Sequence, residues 1–148
     1  MKKILFAVFL SVYFVLGAEA QRPVMSDLFK AMPDSLMPYL TKNNRLDMID
    51  FMEAKMKAEV TNSLEGKSVM TALTADSLSI IMSNALQVDM KLLEHGDSMV
   101  VCMQKTYKIS KHQVEKIVQL FSTVWCPLSE PEVVSSSLLK RDEELFHF

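Results

Sequence analysis

The spacing of apolar residues changes at Gly66, and that change sets the fold class. Upstream, in "LDMIDFMEAKMKAEV", Met48, Ile49, Met52, Met56 and Val60 fall within one arc at roughly 100° per residue, while Asp47, Asp50, Glu53 and Lys57 occupy the other side. Downstream the period is two. Leu78, Ile80 and Met82 alternate with Ser77, Ser79, Ile81 and Ser83, and Leu86, Val88, Met90 and Leu92 alternate with Gln87, Asp89 and Lys91. An amphipathic helix followed by strands with one buried face predicts an α+β protein, with N-terminal helices packed on an antiparallel β-meander of about 4–5 strands.

The local signals refine this outline. Ser26 is a good N-cap for a short helix, "SDLFKAM", stopped by Pro33, and "PDSLMPYL" reads as a turn or a second short helix interrupted at Pro38. Asn44 with Asp47 three residues on resembles a capping box, which predicts the longest helix over about Arg45 to Val60, with Glu53 and Lys57 as an exposed pair. The stretch "EHGDS" is a turn signal joining the strand at 86–92 to "MVVCMQKTY", Met99 to Tyr107. The segment "SKHQVEKIVQLFSTVW" satisfies two templates. Val114, Ile117, Val118 and Phe121 have helical spacing, with Ser110 and Gln113 as caps, yet the run is rich in β-formers. The residues alone leave helix and strand open there.

The first twenty residues read as a leader. "MKKILFAVFLSVYFVLGAEAQ" has two lysines, an apolar run from Ile4 to Leu16, and an A-x-A cleavage site at Ala18-Glu19-Ala20, which predicts a signal peptide at 1–20 and a periplasmic or secreted protein. Nothing after Gln21 approaches the 18 or so apolar residues of a membrane-spanning helix. Residues 21–130 then make a single α+β domain and 131–148 a poorly specified C-terminal tail. Of 16 basic and 18 acidic side chains, removing Lys2, Lys3 and Glu19 leaves 14 and 17, a charge of −3. With no basic block longer than Lys140-Arg141, nucleic acid is not an expected partner.

The scarcity of glycine excludes several chemistries. Only Gly17, Gly66 and Gly96 occur, so no dinucleotide fingerprint, P-loop or nucleophile elbow can be written. His95, His112 and His147 stand alone, without metal-ligand spacing, and read as solvated surface residues. The acidic pair Asp47 and Asp50 and the run Asp142, Glu143 and Glu144 read as solvated faces. No catalytic residue, cofactor or metal is expected, and the protein is not read as an enzyme.

The twelve methionines raise the sharper question. Met48, Met52 and Met56 lie mid-stripe, and Met82, Met90 and Met99 fall on the apolar face of the strands. The plain reading is an adaptable core face. A Cu(I) site would use the same soft thioethers, but Ile49 and Val60 share the stripe and no His or Cys accompanies it. Two functions follow: an exported binding or structural protein with an unknown protein partner, or a carrier holding a lipid-like ligand in a cavity lined by those six methionines.

Cys102 and Cys126 invite a disulfide in an exported protein, worth on the order of 3 kcal/mol. Pairing Met99–Tyr107 with a strand at Lys116–Thr123 through a turn near Ser110 sets Cys102 opposite about Gln119 and leaves Cys126 seven residues on, roughly 23 Å away. A bridge needs Cα atoms within about 7 Å, so free thiols are expected. The lone Trp125 reads as a packing anchor.

The stretches "MPDSLMPYLTKNNRLDMIDFMEAKMKAEVTNSLEGKSVMTALTADSLSI" and "QLFSTVWCPL" resemble an uncharacterised exported family of Bacteroidales, domain of unknown function 3256, most specifically in "PYLTKNNRLDMIDF". The resemblance covers most of residues 24–128. It implies a strand at about Lys116 to Thr123 and carries no reaction, cofactor or catalytic residue. Members usually continue past the Trp-x-Pro-Leu region with further strands. The resemblance therefore implies a C-terminally shortened member with a sheet edge that a partner or a second copy would occupy.

Overall fold

The structure, a computed structural model, describes residues 22–111 and 113–134. The expected leader, most of the expected tail and His112 lie outside the described residues. Helix α1 spans Met25–Ala31, a 3-10 turn spans Asp34–Leu36, and α2 spans Lys42–Glu53. The strands are β1 (Ala58–Thr61), β2 (Lys67–Leu73), β3 (Ser77–Ile81), β4 (Leu86–His95), β5 (Ser98–Ser110), β6 (Gln113–Ser122) and β7 (Glu132–Val134). All neighbours are antiparallel, and the order in the sheet is the order in the chain. The protein is α+β with N-terminal helices, and its sheet has seven strands in place of the four or five expected.

Helix α2 starts one turn earlier and ends two turns sooner than its apolar stripe predicts. Thr41 is the N-cap: its hydroxyl accepts from Asn44 N at 3.2 Å, and Asn44 Oδ1 accepts from Thr41 N at 3.1 Å, a capping box displaced from the expected Asn44–Asp47 pair. Asn44 Nδ2 also donates to Thr61 O at 3.2 Å, tying the helix start to β1. At the other end Lys55 adopts a left-handed φ of 56°. Lys55 N bonds Met52 O at 3.0 Å and Met56 N bonds Phe51 O at 2.8 Å, the paired bonds of a Schellman stop. The chain then reverses, and Ala58 and Val60 pair with Met70 and Ser68 in a β-hairpin. Lys57 consequently meets Glu59, not the expected Glu53.

The predicted strands are present as β3 to β6; β1, β2 and β7 are additional. β1 and β7 are only four and three residues long, and a register shift between Met70 and Ala72 breaks the alternation of β2. Gly96, at φ 61°, lets Gly96-Asp97 close β4 onto β5 as a two-residue hairpin between His95 and Ser98. The ambiguous segment is strand β6, paired with β5 from Val100↔Ser122 to Ser110↔Gln113. Continuous pairing with a long neighbour decides against the helical spacing, because the apolar residues of β6 then fall on both faces of the sheet.

Alternation gives the sheet two faces. Ala58, Val60, Met70, Leu78, Ile80, Met82, Val88, Met90, Leu92, Val101, Met103 and Phe121 share one face and one apolar cluster with Met25, Phe29, Leu40, Met48 and Ile49 of the helical layer. This is the helix face. Fully burying each such side chain stabilises by roughly 1.5–3 kcal/mol relative to exposure. The opposite face carries Ser77, Ser79, Gln87, Asp89, Lys91, Leu93, Val100, Cys102, Gln104, Val118 and Leu120.

Candidate functional site

The six methionines of the predicted ligand face do not form one lining. Met48, Met82 and Met90 are buried in the cluster with Phe29, Leu78 and Phe121, and Met52 and Met99 pack against its margin. Met56 is 59% exposed, because the Schellman stop puts it outside the helix whose stripe it was assigned to. Met25, Met32, Met37, Met70 and Met103 are buried instead, several in the proline-punctuated N-terminal segment and the bulged β2, where no simple period marks an inward side chain. Asp47 and Asp50 lie exposed on the outer side of α2, and His95 is exposed at the β4–β5 turn. His147 and the run Asp142, Glu143 and Glu144 fall outside the described residues. Among the described residues no group of three or more His, Cys, Asp or Glu is placed to hold a metal ion, and no helix is long and apolar enough to cross a membrane.

The face away from the helices carries the buried acid. Ser79, Asp89 and Gln104 stand directly opposite one another across β3, β4 and β5. Ser79 Oγ donates to Asp89 Oδ1 at 2.6 Å, and Gln87 Nε2 lies 3.0 and 3.1 Å from the two carboxylate oxygens. Asp89 is only 3% exposed, yet its acceptors are occupied by neighbouring side chains, a structural arrangement more than a waiting base. Beside this row, Val100 and Cys102 are also buried, and neither belongs to the helix-face cluster.

Both cysteines are free, Cys102 buried and Cys126 exposed. The register differs by one from expectation, with Cys102 opposite Leu120. The separation differs more, for the chain does not run on past β6. Trp125 takes a left-handed φ of 64°, Ser122 N bonds Cys126 O at 2.9 Å, and Leu128 N bonds Leu120 O at 2.8 Å. Cys126 therefore lies beyond the outer side of β6, two interstrand spacings or about 9.6 Å from β5 instead of 23 Å, still too far for a bridge. Burial pushes the Cys102 thiol up to about 11, so it stays protonated and inert at neutral pH.

The two sheet edges are built differently. At β1, Lys57 pairs with Glu59, whose carboxyl is held below its usual range by the Lys57 hydrogen bond and charge, and Lys67 lies 3.9 Å from the same carboxylate. Charged flanks of this kind guard an edge. At the other end β7 bonds β6 over Lys116–Val118 only; the turn leading to it exposes Val124 at 76% and Leu128 at 55%, and β7 itself exposes Val133 at 57%. Exposed apolar side chains stand here beside exposed Glu130, Pro131 and Glu132, at the outermost strand among the described residues.

A family model described as protein of unknown function (DUF3256) matches residues 16–143. The chain belongs to this family. A solved domain of an uncharacterized protein from Porphyromonas gingivalis W83 is similar to it at 25% identity with a TM-score of 0.60, over 71% of this chain and 53% of that one. The chain thus corresponds to about half the length of that relative. No curated protein matches.

The stretch that carries the resemblance to DUF3256 most specifically, "PYLTKNNRLDMIDF", does structural work. Thr41 and Asn44 form the capping box, and Arg45, 1% exposed, is enclosed by the N-terminal segment. Its Nε donates to Phe29 O at 3.2 Å, Nη1 to Leu40 O at 2.9 Å and to Asp34 Oδ1 at 2.7 Å, and Nη2 to Met32 O, with the guanidinium 5.9 Å from the Phe29 ring centroid. Helical spacing sets Arg45 three, four and seven residues before Met48, Ile49 and Met52, inside their apolar arc, but its charge kept it off the expected core. In this DUF3256 chain Trp125 is an anchor, its Nε1 donating to Leu28 O at 2.9 Å and its ring centroid 5.8 Å from that of Phe121.

Proposed function

We propose that this DUF3256 protein is an exported, non-catalytic binding protein that takes a polypeptide partner along the β7 edge of its sheet. The apolar exposure beside β7 carries the reading. β1 is flanked by Lys57, Glu59 and Lys67, and one of its terminal carbonyls, Thr61 O, is bonded by Asn44. β7 carries exposed Val133 and is flanked by exposed Val124 and Leu128, whose side chains serve an edge-on partner better than water, with Glu130 and Glu132 beside them to meet a basic one. Non-catalytic character is supported by how the buried charged groups are spent: Asp89 on Ser79 and Gln87, and Arg45 on three carbonyls and Asp34. Export rests on the leader-like first twenty residues.

The test is native mass spectrometry of the protein purified from its own cell envelope, joined to hydrogen exchange at residues 132–134. A bound polypeptide that slows exchange there, and that is lost in Leu128→Lys/Val133→Lys at unchanged Tm, is the expected result. A partner retained by that variant, or a co-purifying lipid in place of a polypeptide, would overturn the reading and favour the apolar carrier.

A further inference from the structure

The helix face of β5 is buried at one end and half open at the other. Val101 and Met103 are 0% and 3% exposed, Lys105 and Tyr107 on the same face are half-buried, and Ile109, two residues on, is 54% exposed. Helix α2 packs on β1 and β2, and what stands over Lys105 is the 3-10 turn, whose Leu36 carbonyl accepts from Lys105 Nζ at a long 3.4 Å. In the sheet Lys105 lies between Val88 of β4 and Ile117 of β6, and Leu86 lies one pair along, opposite Tyr107. The amine is set among apolar neighbours, and burial holds it below the usual lysine range.

A charge taken out of water calls for an opposite charge or a full set of acceptors. Arg45 has both, in Asp34 and three carbonyls. Lys105 has no ion pair among the described residues and only the one long bond to Leu36 O. The hydroxyl of Tyr107 makes no hydrogen bond among them either. We propose that Lys105 is the head-group end of a site for a monocarboxylate with an apolar tail. The amine and the Tyr107 hydroxyl donate to the carboxylate, and Leu36, Leu86 and Ile117 take the tail. Half-buried Glu115, opposite Tyr107 on the same face, disfavours a ligand with a second negative charge. The site goes beyond the reading of the β7 edge: Lys105 lies two strands in from β7, so a carboxylate held there leaves the edge free.

The probe is octanoate, with octanol lacking the charge and acetate lacking the tail. Lysine acylation by N-hydroxysuccinimidyl acetate, followed by peptide mass spectrometry, reads each amine separately, and exposed Lys55 is the internal reference. A carboxylate against Nζ holds the proton that acylation must remove, so saturating octanoate should slow Lys105 at least about fivefold and leave Lys55 unchanged. Octanol and acetate at the same concentration should slow Lys105 less than about twofold, since each supplies half of the recognition. By calorimetry Lys105→Met should weaken octanoate at least about tenfold and Lys105→Arg less than about threefold. Lys105→Met removes an unpaired charge and keeps the stem, so native circular dichroism is expected of it. Four results would overturn the assignment: a Lys105 rate unmoved by octanoate; octanol as protective as octanoate; Lys55 slowed alongside Lys105; or octanoate bound as tightly by folded Lys105→Met as by the native chain.

Discussion

Arg45 shows how much a single buried donor set can organise. The N-terminal segment is made of one seven-residue helix, a 3-10 turn and three prolines, and pieces that short leave carbonyls unpaired at their ends. Arginine presents five donors in a rigid fork, and Arg45 uses it on Phe29, Met32, Leu40 and Asp34 together. Arg45→Met keeps much of the volume but leaves three carbonyls and the Asp34 partner without their donor. The expected loss, measured by urea unfolding, is about 3–5 kcal/mol. A loss below about 1 kcal/mol would mean that water replaces the guanidinium and that the segment is held by its apolar contacts alone. The spacing puts Arg45 on the arc of Met48, Ile49 and Met52, but a core counted from apolar residues alone passes over an inward arginine. Arg45 stood at the predicted start of a helix, where a charge needs no explanation.

Among the elements, the strands with clean alternation were legible and the helix end was not. β3 and β4 alternate because one face packs on the helices, and the Gly96 turn between β4 and β5 uses a residue that reports its own conformation. The end of α2 uses Lys55 where glycine is the usual signal, and the methionine spacing continues through the stop. That combination extended the predicted helix to Val60 and concealed β1. A left-handed non-glycine residue at this position carries strain of about 1 kcal/mol. Lys55→Gly is therefore expected to stabilise by roughly 0.5–1 kcal/mol in thermal or urea denaturation, with the greater chain entropy of glycine when unfolded offsetting part of the relief. Destabilisation by Lys55→Gly would show that the lysine stem makes contacts that outweigh its backbone strain. The apolar candidate face follows the same logic: Met48 lies well inside the helix and is buried, whereas Met56 lies past the stop and is exposed.

At the scale of the molecule, the meander keeps pairing local, since every strand bonds its sequence neighbours, and this is why the fold class could be read before the strand count. What local spacing could not show is the closure between the two ends. Trp125 supplies it: it follows β6 and donates from its indole nitrogen to Leu28 O of α1, across 97 residues of chain. Its ring packs with Phe121 in the cluster that includes Met25 and Phe29, so the first helix and the sixth strand share one core. If that closure makes the domain cooperative, the sole tryptophan reports the whole transition, and its fluorescence in urea should superimpose on the far-ultraviolet circular dichroism. Trp125→Phe keeps an aromatic ring against Phe121 but leaves Leu28 O without its donor. Its expected effect is a loss of about 1–2 kcal/mol, read by circular dichroism, with the denaturant slope unchanged. A fluorescence midpoint separated from the circular dichroism midpoint in the native sequence would instead place the α1–β6 junction in a unit that opens on its own, and the closure would then be a local latch on an already stable sheet.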